Sequence, residues 1–149
     1  MKKYVWFLLL ILGLIGSACA ETKYVLVRSE LNVRAKPSLG SHIHGRLYTG
    51  DSVQVSKTYR GWLFLENLPS EEGCGWISEQ YVVNEPVTQM DEVSATICGN
   101  GRVAIRNSVN GERTSWGHPG DTVYVYGTSD SWSVTDRGYI KTEYLILQR

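Results

Sequence analysis

Hydrophobic and polar residues alternate in short runs along most of the chain. In one such run, Val53 and Val55 alternate with Ser52 and Gln54, which is typical of a strand with one buried face. The other runs are rich in Val, Ile, Tyr, Thr and Trp, and they are separated by Gly, Pro, Asn, Asp and Ser. No segment of helical length has the apolar spacing of a helix. The pattern therefore predicts an all-β protein.

The order of motifs in the first half recurs in the second half. The predicted strands of the first half are Lys23–Arg28, Asn32–Arg34, Ile43–Leu47, Ser52–Thr58, Trp62–Leu65, Cys74–Ile77 and Val82–Val83. The second half is predicted to open with a strand at Ala95–Cys98. The recurring motifs are Leu-Asn-Val-Arg at 31–34 with Val-Ala-Ile-Arg at 103–106, Gly50-Asp51 with Gly120-Asp121, and Trp62 with Trp132. The differences in length between the halves fall in loops, as expected of a duplicated β domain.

The first twenty residues have the pattern of a secretory signal peptide. Lys2 and Lys3 precede the apolar run Val5–Ile15, and Ala18-Cys19-Ala20 supplies an A-x-A site with cleavage expected after Ala20. An uncleaved anchor and lipidation of Cys19 are the alternatives. The chain is therefore divided into a signal peptide at 1–20, a first domain at 21–85 and a divergent second domain at 86–149.

The charge of the chain excludes one class of partner. There are 15 basic and 15 acidic side chains, and removal of Lys2 and Lys3 leaves 13 basic against 15 acidic. No basic run or patch stands out, which argues against nucleic acid and against electrostatic membrane binding. A membrane contact is expected only if Cys19 is lipidated. The connection around Asn84–Glu92 is short and contains Pro86, so we expect the two domains to pack together.

Two cysteines remain after the signal peptide, Cys74 and Cys98. In an oxidising exported compartment, an even pair indicates one disulfide, which would join the end of the first repeat to the start of the second. Two buried free thiols are the alternative, because free cysteine is among the most buried residue types.

The first half resembles the bacterial SH3 (SH3b) family. The residues that carry the resemblance are Leu31-Asn32-Val33-Arg34, Pro37-Ser38, Gly50-Asp51, Gly75-Trp76-Ile77 and Tyr81-Val82. The second half keeps this order but lacks the Pro-Ser loop. The resemblance implies two tandem SH3-like small β-barrels after a cleaved signal peptide. It also implies that the loop from Ala35 to Ser41 flanks a ligand groove.

In that family the modules are non-catalytic binding parts of exported bacterial proteins, and many accompany cell-wall hydrolases. The resemblance therefore implies an exported binding protein, periplasmic or secreted, that uses no cofactor. Its implied partner is cell-wall peptidoglycan, recognised through the glycan or the stem peptide. A protein–protein module, such as an inhibitor, immunity protein or adaptor acting on an exported partner, is the alternative that the residues leave open.

Candidate ligand-binding residues are basic or aromatic. They are Arg34, Lys36, Tyr48, Tyr59, Trp62, Trp76, Trp116 and Trp132. Flat aromatic rings bind sugars and peptides by stacking and through their large apolar area. We expect Trp76 and its counterpart Tyr139 to be buried or half-buried, whereas Trp62 and Trp132 can face either a groove or the core.

Metal and enzymatic chemistry find little support in the sequence. His42 and His44 share one strand face and His118 is a third possible ligand, but zinc sites use three or four well-disposed ligands. The chain has no G-x-S-x-G or H-E-x-x-H motif. We therefore expect neither a metal site nor a catalytic activity.

Overall fold

The computed structural model describes residues 20–68 and 72–148, which form two seven-stranded antiparallel sheets. The first sheet contains β1 (Glu21–Val25), β2 (Leu31–Arg34), β3 (Ile43–Leu47), β4 (Ser52–Tyr59), β5 (Trp62–Glu66), β6 (Cys74–Ser78) and β7 (Val82–Val83). The second contains β8 (Thr88–Ile97), β9 (Val103–Arg106), β10 (Arg113–Gly117), β11 (Thr122–Thr128), β12 (Trp132–Thr135), β13 (Gly138–Lys141) and β14 (Leu145–Leu147). The all-β prediction is confirmed for the described residues. The predicted signal peptide lies outside the described residues except for Ala20, and Cys19 lies outside them too.

The two sheets have the same strand order. The first runs β3-β2-β6-β5-β4-β1-β7, and the second runs β10-β9-β13-β12-β11-β8-β14. A single turn of 3-10 helix precedes the last strand of each sheet, at Glu79–Tyr81 and Thr142–Tyr144. The repeat of motifs along the sequence is thus a repeat of strand order. Within the described ranges, none of the helices is long and apolar enough to cross a membrane.

Alternation along the strands gives each sheet its own core. In β2, Leu31 and Val33 are buried while Asn32 and Arg34 are half-buried, and β9 repeats this pattern. Successive side chains of a strand point to opposite faces, so one face of β2 and one face of β9 lie against a core. The first core further includes Val53, Val55, Leu63, Leu65 and Ile77, and the second includes Ala95, Ile97, Val123, Val125 and Ile140.

The Gly-Asp turns have the same geometry in both sheets. Gly50 and Gly120 each have a φ of +94°, in a region that favours glycine because it has no Cβ. The carboxylates of Asp51 and Asp121 each accept a hydrogen bond from the backbone N–H three residues earlier, at 2.8 and 2.9 Å. Each turn is therefore closed by its own aspartate immediately before β4 or β11.

One predicted strand ends earlier than expected. The sequence predicted a strand to Arg28, but β1 ends at Val25. The Val27 N–H instead donates to the Thr49 hydroxyl at 2.9 Å. Beyond Val25 the chain therefore no longer pairs with a neighbouring strand, and a side chain accepts the hydrogen bond of the Val27 N–H. Val27 itself stays buried.

The connection between the sheets is shorter than predicted. The sequence placed a linker at Asn84–Glu92 and the next strand at Ala95–Cys98, whereas β8 already begins at Thr88. Thr88 and Gln89 pair with the end of β11. This polar segment is therefore a strand because of its partner, and the alternation of residues within the segment does not predict that pairing. Residues 84–87 alone link the two sheets.

The two sheets pack against each other through a hydrophobic cluster separate from both cores. Its buried members are Leu26, Val83, Trp132, Val134 and Tyr139. The Tyr139 hydroxyl donates to the Leu26 carbonyl at 2.6 Å within this cluster. Burial, with a smaller contribution from Tyr81, raises the pKa of Tyr139 well above its ordinary value of 10.0. The two halves therefore pack together, as the short connection predicts.

A polar contact ties the connection to the second sheet. The Glu85 carboxylate accepts hydrogen bonds from the Ser129 hydroxyl at 2.9 Å, from the Ser131 N–H at 3.0 Å and from the Ser131 hydroxyl. Burial alone would raise the pKa of Glu85, but the hydrogen bonds from Ser131 and Ser129 outweigh it and lower the pKa below the ordinary 4.5. The contact is therefore strongest when Glu85 is ionised.

Candidate binding clefts

A cleft of about 420 Å³ opens beside β2, and we call it the first cleft. Its walls include Leu31 and Asn32 at the start of β2, Trp62 at the start of β5, Tyr81 of the 3-10 helix and Leu39 of the loop 35–42. Trp62 and Tyr81 are half-buried, while Leu39 is 78% exposed. The first cleft thus offers two aromatic rings and an exposed aliphatic side chain to a ligand.

Arg34 holds the loop that carries Leu39. Its Nη1 donates to the carbonyls of Leu39 and Ser41, at 2.6 and 3.0 Å. The loop is also closed at its base, where the Ala35 N–H donates to the His42 carbonyl at 2.9 Å. Arg34 lines the cleft, but its guanidinium group donates two hydrogen bonds to the loop. We therefore assign it the role of positioning Leu39.

A second cleft, of about 490 Å³, lies at the corresponding place in the second sheet. Its lining repeats that of the first cleft, with Val103, Ala104, Arg106, Trp132 and Tyr144 in place of Leu31, Asn32, Arg34, Trp62 and Tyr81. Arg106 donates to the Gly111 carbonyl at 2.9 Å, as Arg34 does to its own loop. Both sheets therefore build a cleft from the same strands and hold the adjoining loop with the same arginine.

Trp116 of the second cleft lies beside two arginines. The guanidinium carbon of Arg102 is 4.4 Å from the centre of its ring, and that of Arg113 is 4.3 Å away. Both distances are typical of cation–π contacts. The described residues that line this cleft include Arg102, Arg106 and Lys141 but no aspartate or glutamate. The second cleft is therefore cationic.

The structure decides between groove and core for the predicted tryptophans. Trp132 is only 5% exposed and belongs to the cluster between the sheets, so it is a core residue that touches the cleft with its edge. Trp76 is half-buried, and its ring centre lies 5.1 Å from that of Phe64. Tyr139 is buried. The expected burial of Trp76 and Tyr139 agrees with their positions.

The remaining predicted binding residues lie away from the two clefts. Tyr48, 53% exposed, lines a separate hollow between the sheets. Tyr59, 50% exposed, ends β4 with the Arg60 guanidinium 5.5 Å from its ring centre. Lys36 is exposed, and its backbone N–H donates to Ser41 Oγ at 2.8 Å. Arg34 and Trp62 therefore line the first cleft, Trp116 and Trp132 the second, and Lys36, Tyr48, Tyr59 and Trp76 neither.

The predicted bond between Cys74 and Cys98 is not formed in this structure, where both are half-buried free thiols. Cys74 begins β6 and pairs with Glu66 on β5. Cys98 follows β8, and its N–H donates to the Tyr144 carbonyl at 2.9 Å. Each cysteine is thus fixed within its own sheet, and cysteine count alone could not reveal this separation.

The three histidines do not form a cluster. His44 lies on β3 with its Nε2 3.5 Å from a Glu72 carboxylate oxygen, and neither ring nitrogen has a hydrogen bond among the described residues. His42 is exposed, and His118 follows β10 in the other sheet. Within residues 20–68 and 72–148, no three His, Cys, Asp or Glu side chains gather as metal ligands would.

Sequence reasoning missed the basic residues of the second cleft. Arg102 directly precedes β9, and Glu30 directly precedes β2. An alignment of the two halves therefore places Arg102 at the position of Glu30, and this signal could have found it. Lys141 lines the cleft, and Arg113 contacts the cleft residue Trp116. Both were missed because neighbouring strands place them there. The pairing of β9 with β10 and of β12 with β13 supplies that information, and it is not visible in local alternation.

Comparison with known proteins supports a family for part of the chain. Residues 29–83 match the family model of the bacterial SH3 domain, which confirms the resemblance for this stretch. No curated protein matches the chain. The structure of NlpC1 from Trichomonas vaginalis is similar over 89% of this chain and 48% of its own, at 12% identity and a TM-score of 0.38. The structure of NlpC2 from the same organism is similar over 89% of this chain and 50% of its own, at 13% identity and a TM-score of 0.37. This chain spans about half the length of those two proteins.

Proposed function

We propose that this is an exported, non-catalytic protein that binds peptidoglycan, through its glycan or its stem peptide, in the first cleft. The proposal rests on one observation above all. The cleft is lined by Trp62, Tyr81 and the exposed Leu39, and all three belong to the stretch that matches the bacterial SH3 domain. Asn107 and Tyr139 of the second half also line it. In this proposal each sheet is an SH3-like barrel, and residues 1–20 direct export to the periplasm or beyond the cell.

The first cleft combines apolar surface with hydrogen-bonded polar groups. Glu30 at its rim is paired with Arg46, whose Nε lies 3.4 Å from the carboxylate, and the lining arginines Arg28 and Arg34 donate to backbone carbonyls. The ring faces and the aliphatic side chain of the cleft bind sugars and peptide chains by stacking and apolar contact. A volume of about 420 Å³ is within the range of small-ligand sites.

The test is retention of the purified protein on isolated sacculi. Trp62→Ala and Leu39→Ser should each lower the affinity about tenfold, or ~1.4 kcal/mol, because both remove cleft surface. Leu39→Ser changes a residue that is 78% exposed, so it separates lost binding from lost folding. Tyr59→Ala is the matched control, since it removes an exposed aromatic ring outside the cleft.

Soluble peptidoglycan fragments should compete with sacculi for the protein. Unchanged retention of both cleft variants would contradict the proposal. If the protein ignores sacculi but is retained by a single envelope protein in a manner that depends on Leu39, the chain is a protein–protein module instead.

A further inference from the structure

The rims of the two clefts carry opposite charge at one corresponding position. In the first sheet, Glu30 precedes β2 and pairs with Arg46 of β3. In the second sheet, Arg102 precedes β9 and stacks on Trp116 of β10. Arg46 and Trp116 correspond because each lies opposite the second residue of the neighbouring strand. An internal ion pair in one cleft is therefore replaced by an unneutralised arginine in the other.

Two further positions become basic, Lys141 in the lining of the second cleft and Arg113 against its Trp116. Arg113 lies opposite the last residue of β9, as Ile43 lies opposite the last residue of β2. Lys141 lies opposite the first residue of β12, as Ser78 lies opposite the first residue of β5. An apolar and a neutral polar side chain are thus both exchanged for cations around the same cleft.

These cations have no counter-charge in the protein. In the described part of the chain, no ion pair joins Arg102, Arg106, Arg113 or Lys141 to a carboxylate. The guanidinium carbons of Arg102 and Arg113 both lie within 4.4 Å of the centre of the Trp116 ring. Arg102, Arg106 and Lys141 line one cleft, and like charges gathered there repel one another, so a bound anion relieves that repulsion.

We propose that the second cleft binds an acidic peptide segment, whose carboxylates are held by Arg102 and Lys141 beside Trp116. Contact with the Trp116 ring restrains the Arg102 guanidinium, and a planar guanidinium matches the two oxygens of a carboxylate. The cleft volume of about 490 Å³ accommodates a few residues. This site is additional to the one proposed for the first cleft.

A peptide fits the distribution of charge better than a nucleic acid does. Nucleic acid binding draws on a basic stripe or face that follows the phosphate backbone. Here the cations are gathered at one cleft, in a chain with 15 basic and 15 acidic side chains. The remaining basic residue of β12–β13, Arg137, is already paired with Asp121 at 3.2 Å. The surface therefore supplies a local site for carboxylates and no extended track.

The experiment is a titration of the ¹⁵N-labelled protein, followed by NMR at low salt. The probes are a blocked Gly-Glu-Gly-Glu-Gly peptide, its Gln analogue and a short oligothymidylate. The Glu peptide should shift the indole N–H of Trp116 and the backbone amides of residues 99–106. Arg102→Gln with Lys141→Gln should weaken this binding about tenfold or more, because both charged partners in the cleft lining are removed.

The control is Lys57→Gln with Arg60→Gln, which removes two positive charges from the first sheet and should leave the affinity for the Glu peptide within about twofold, since these residues lie outside the second cleft. Equal binding of the Gln analogue, or unchanged binding by the Arg102→Gln, Lys141→Gln variant, would overturn the proposal. Preference for the oligothymidylate would overturn it as well. Because the titration reads resonances of the second cleft, its result is independent of retention on sacculi.

Discussion

Trp62 and Trp132 begin equivalent strands and have different surroundings. Trp62 is half-buried at the first cleft, whereas Trp132 is 5% exposed and packs against Leu26 and Val83 from the other sheet. The two rings differ in exposure because residues of the other sheet cover Trp132, and not because the two strands differ. A residue in one copy of a repeat can thus be part of a binding surface while its counterpart stabilises the contact between the copies.

Replacing Tyr139 with Phe should destabilise the protein by about 1–3 kcal/mol near pH 8, because it removes a buried donor to the Leu26 carbonyl. Burial raises the pKa of Tyr139 in the folded state. The unfolded chain therefore ionises this phenol first as the pH rises above 10, and the wild type loses stability there that Tyr139→Phe does not lose. Urea unfolding of both proteins at pH 8 and above pH 10 measures how the difference between their free energies of unfolding narrows. Parallel loss of stability in the two proteins would contradict this assignment.

Local alternation predicted the buried positions Val53 and Val55 of β4, because that strand packs into the core of its own sheet. It could not place Trp132, since the burial of that ring depends on Leu26, about a hundred residues away in the sequence. The repeat of motifs did locate the equivalent arginines, Arg34 and Arg106. Their hydrogen bonds to loop carbonyls, by contrast, depend on loop conformation that the sequence does not specify.

At the scale of elements, β11 is shaped by its contact with the other sheet. The strand has an irregular register between Val125 and Gly127, both against β8 and against β12. A Cβ at Gly127 would lie 2.5 Å from Thr49 Cγ2 and 3.2 Å from Leu26 Cδ1. Thr49 cannot easily turn away, because its hydroxyl is hydrogen-bonded to the Val27 backbone. The absence of a side chain at Gly127 is what lets the sheets approach.

Gly127→Ala should therefore destabilise the protein by about 1–3 kcal/mol, the usual effect of overpacking a well-packed region. Gly101→Ala is the control, since a Cβ at Gly101 meets no atom within 4 Å. Thermal unfolding of the three proteins compares them directly. Equal melting temperatures for wild type and Gly127→Ala would show that the approach of the sheets is looser than described.

At the scale of the whole molecule, the connection residues 84–87 do more than join two sheets. Through Glu85 they are bonded to the loop between β11 and β12, and through Val87 they pack on the cluster between the sheets. Since this cluster and the Glu85 contact both span the two halves, we expect the sheets to unfold together and not one after the other.

Glu85→Gln should lower the stability by about 1 kcal/mol at pH 7, because hydrogen bonds to a charged acceptor are lost from a partly exposed position. The lowered pKa of Glu85 means that its contribution is present above pH 4.5 and is lost as the pH falls through the folded-state pKa. The difference from wild type should therefore vanish in acid. Denaturant unfolding between pH 7 and pH 3 measures it, with the exposed Glu66→Gln as control. A difference that stays constant as the pH falls below 4.5 would rule out the charge as its source.

The contact between the sheets joins different faces of one repeated fold. The first sheet contributes residues beside β1 and β7, while the second contributes β12 and β13. Such a contact is heterologous and lacks the two-fold symmetry that closes a dimer. The counterpart face of the first sheet, on β5 and β6, carries Phe64 with the Lys57 ammonium 5.1 Å from its ring centre. A charge beside the Phe64 ring disfavours apolar stacking of one chain on the next, so we expect this face to oppose growth into a filament.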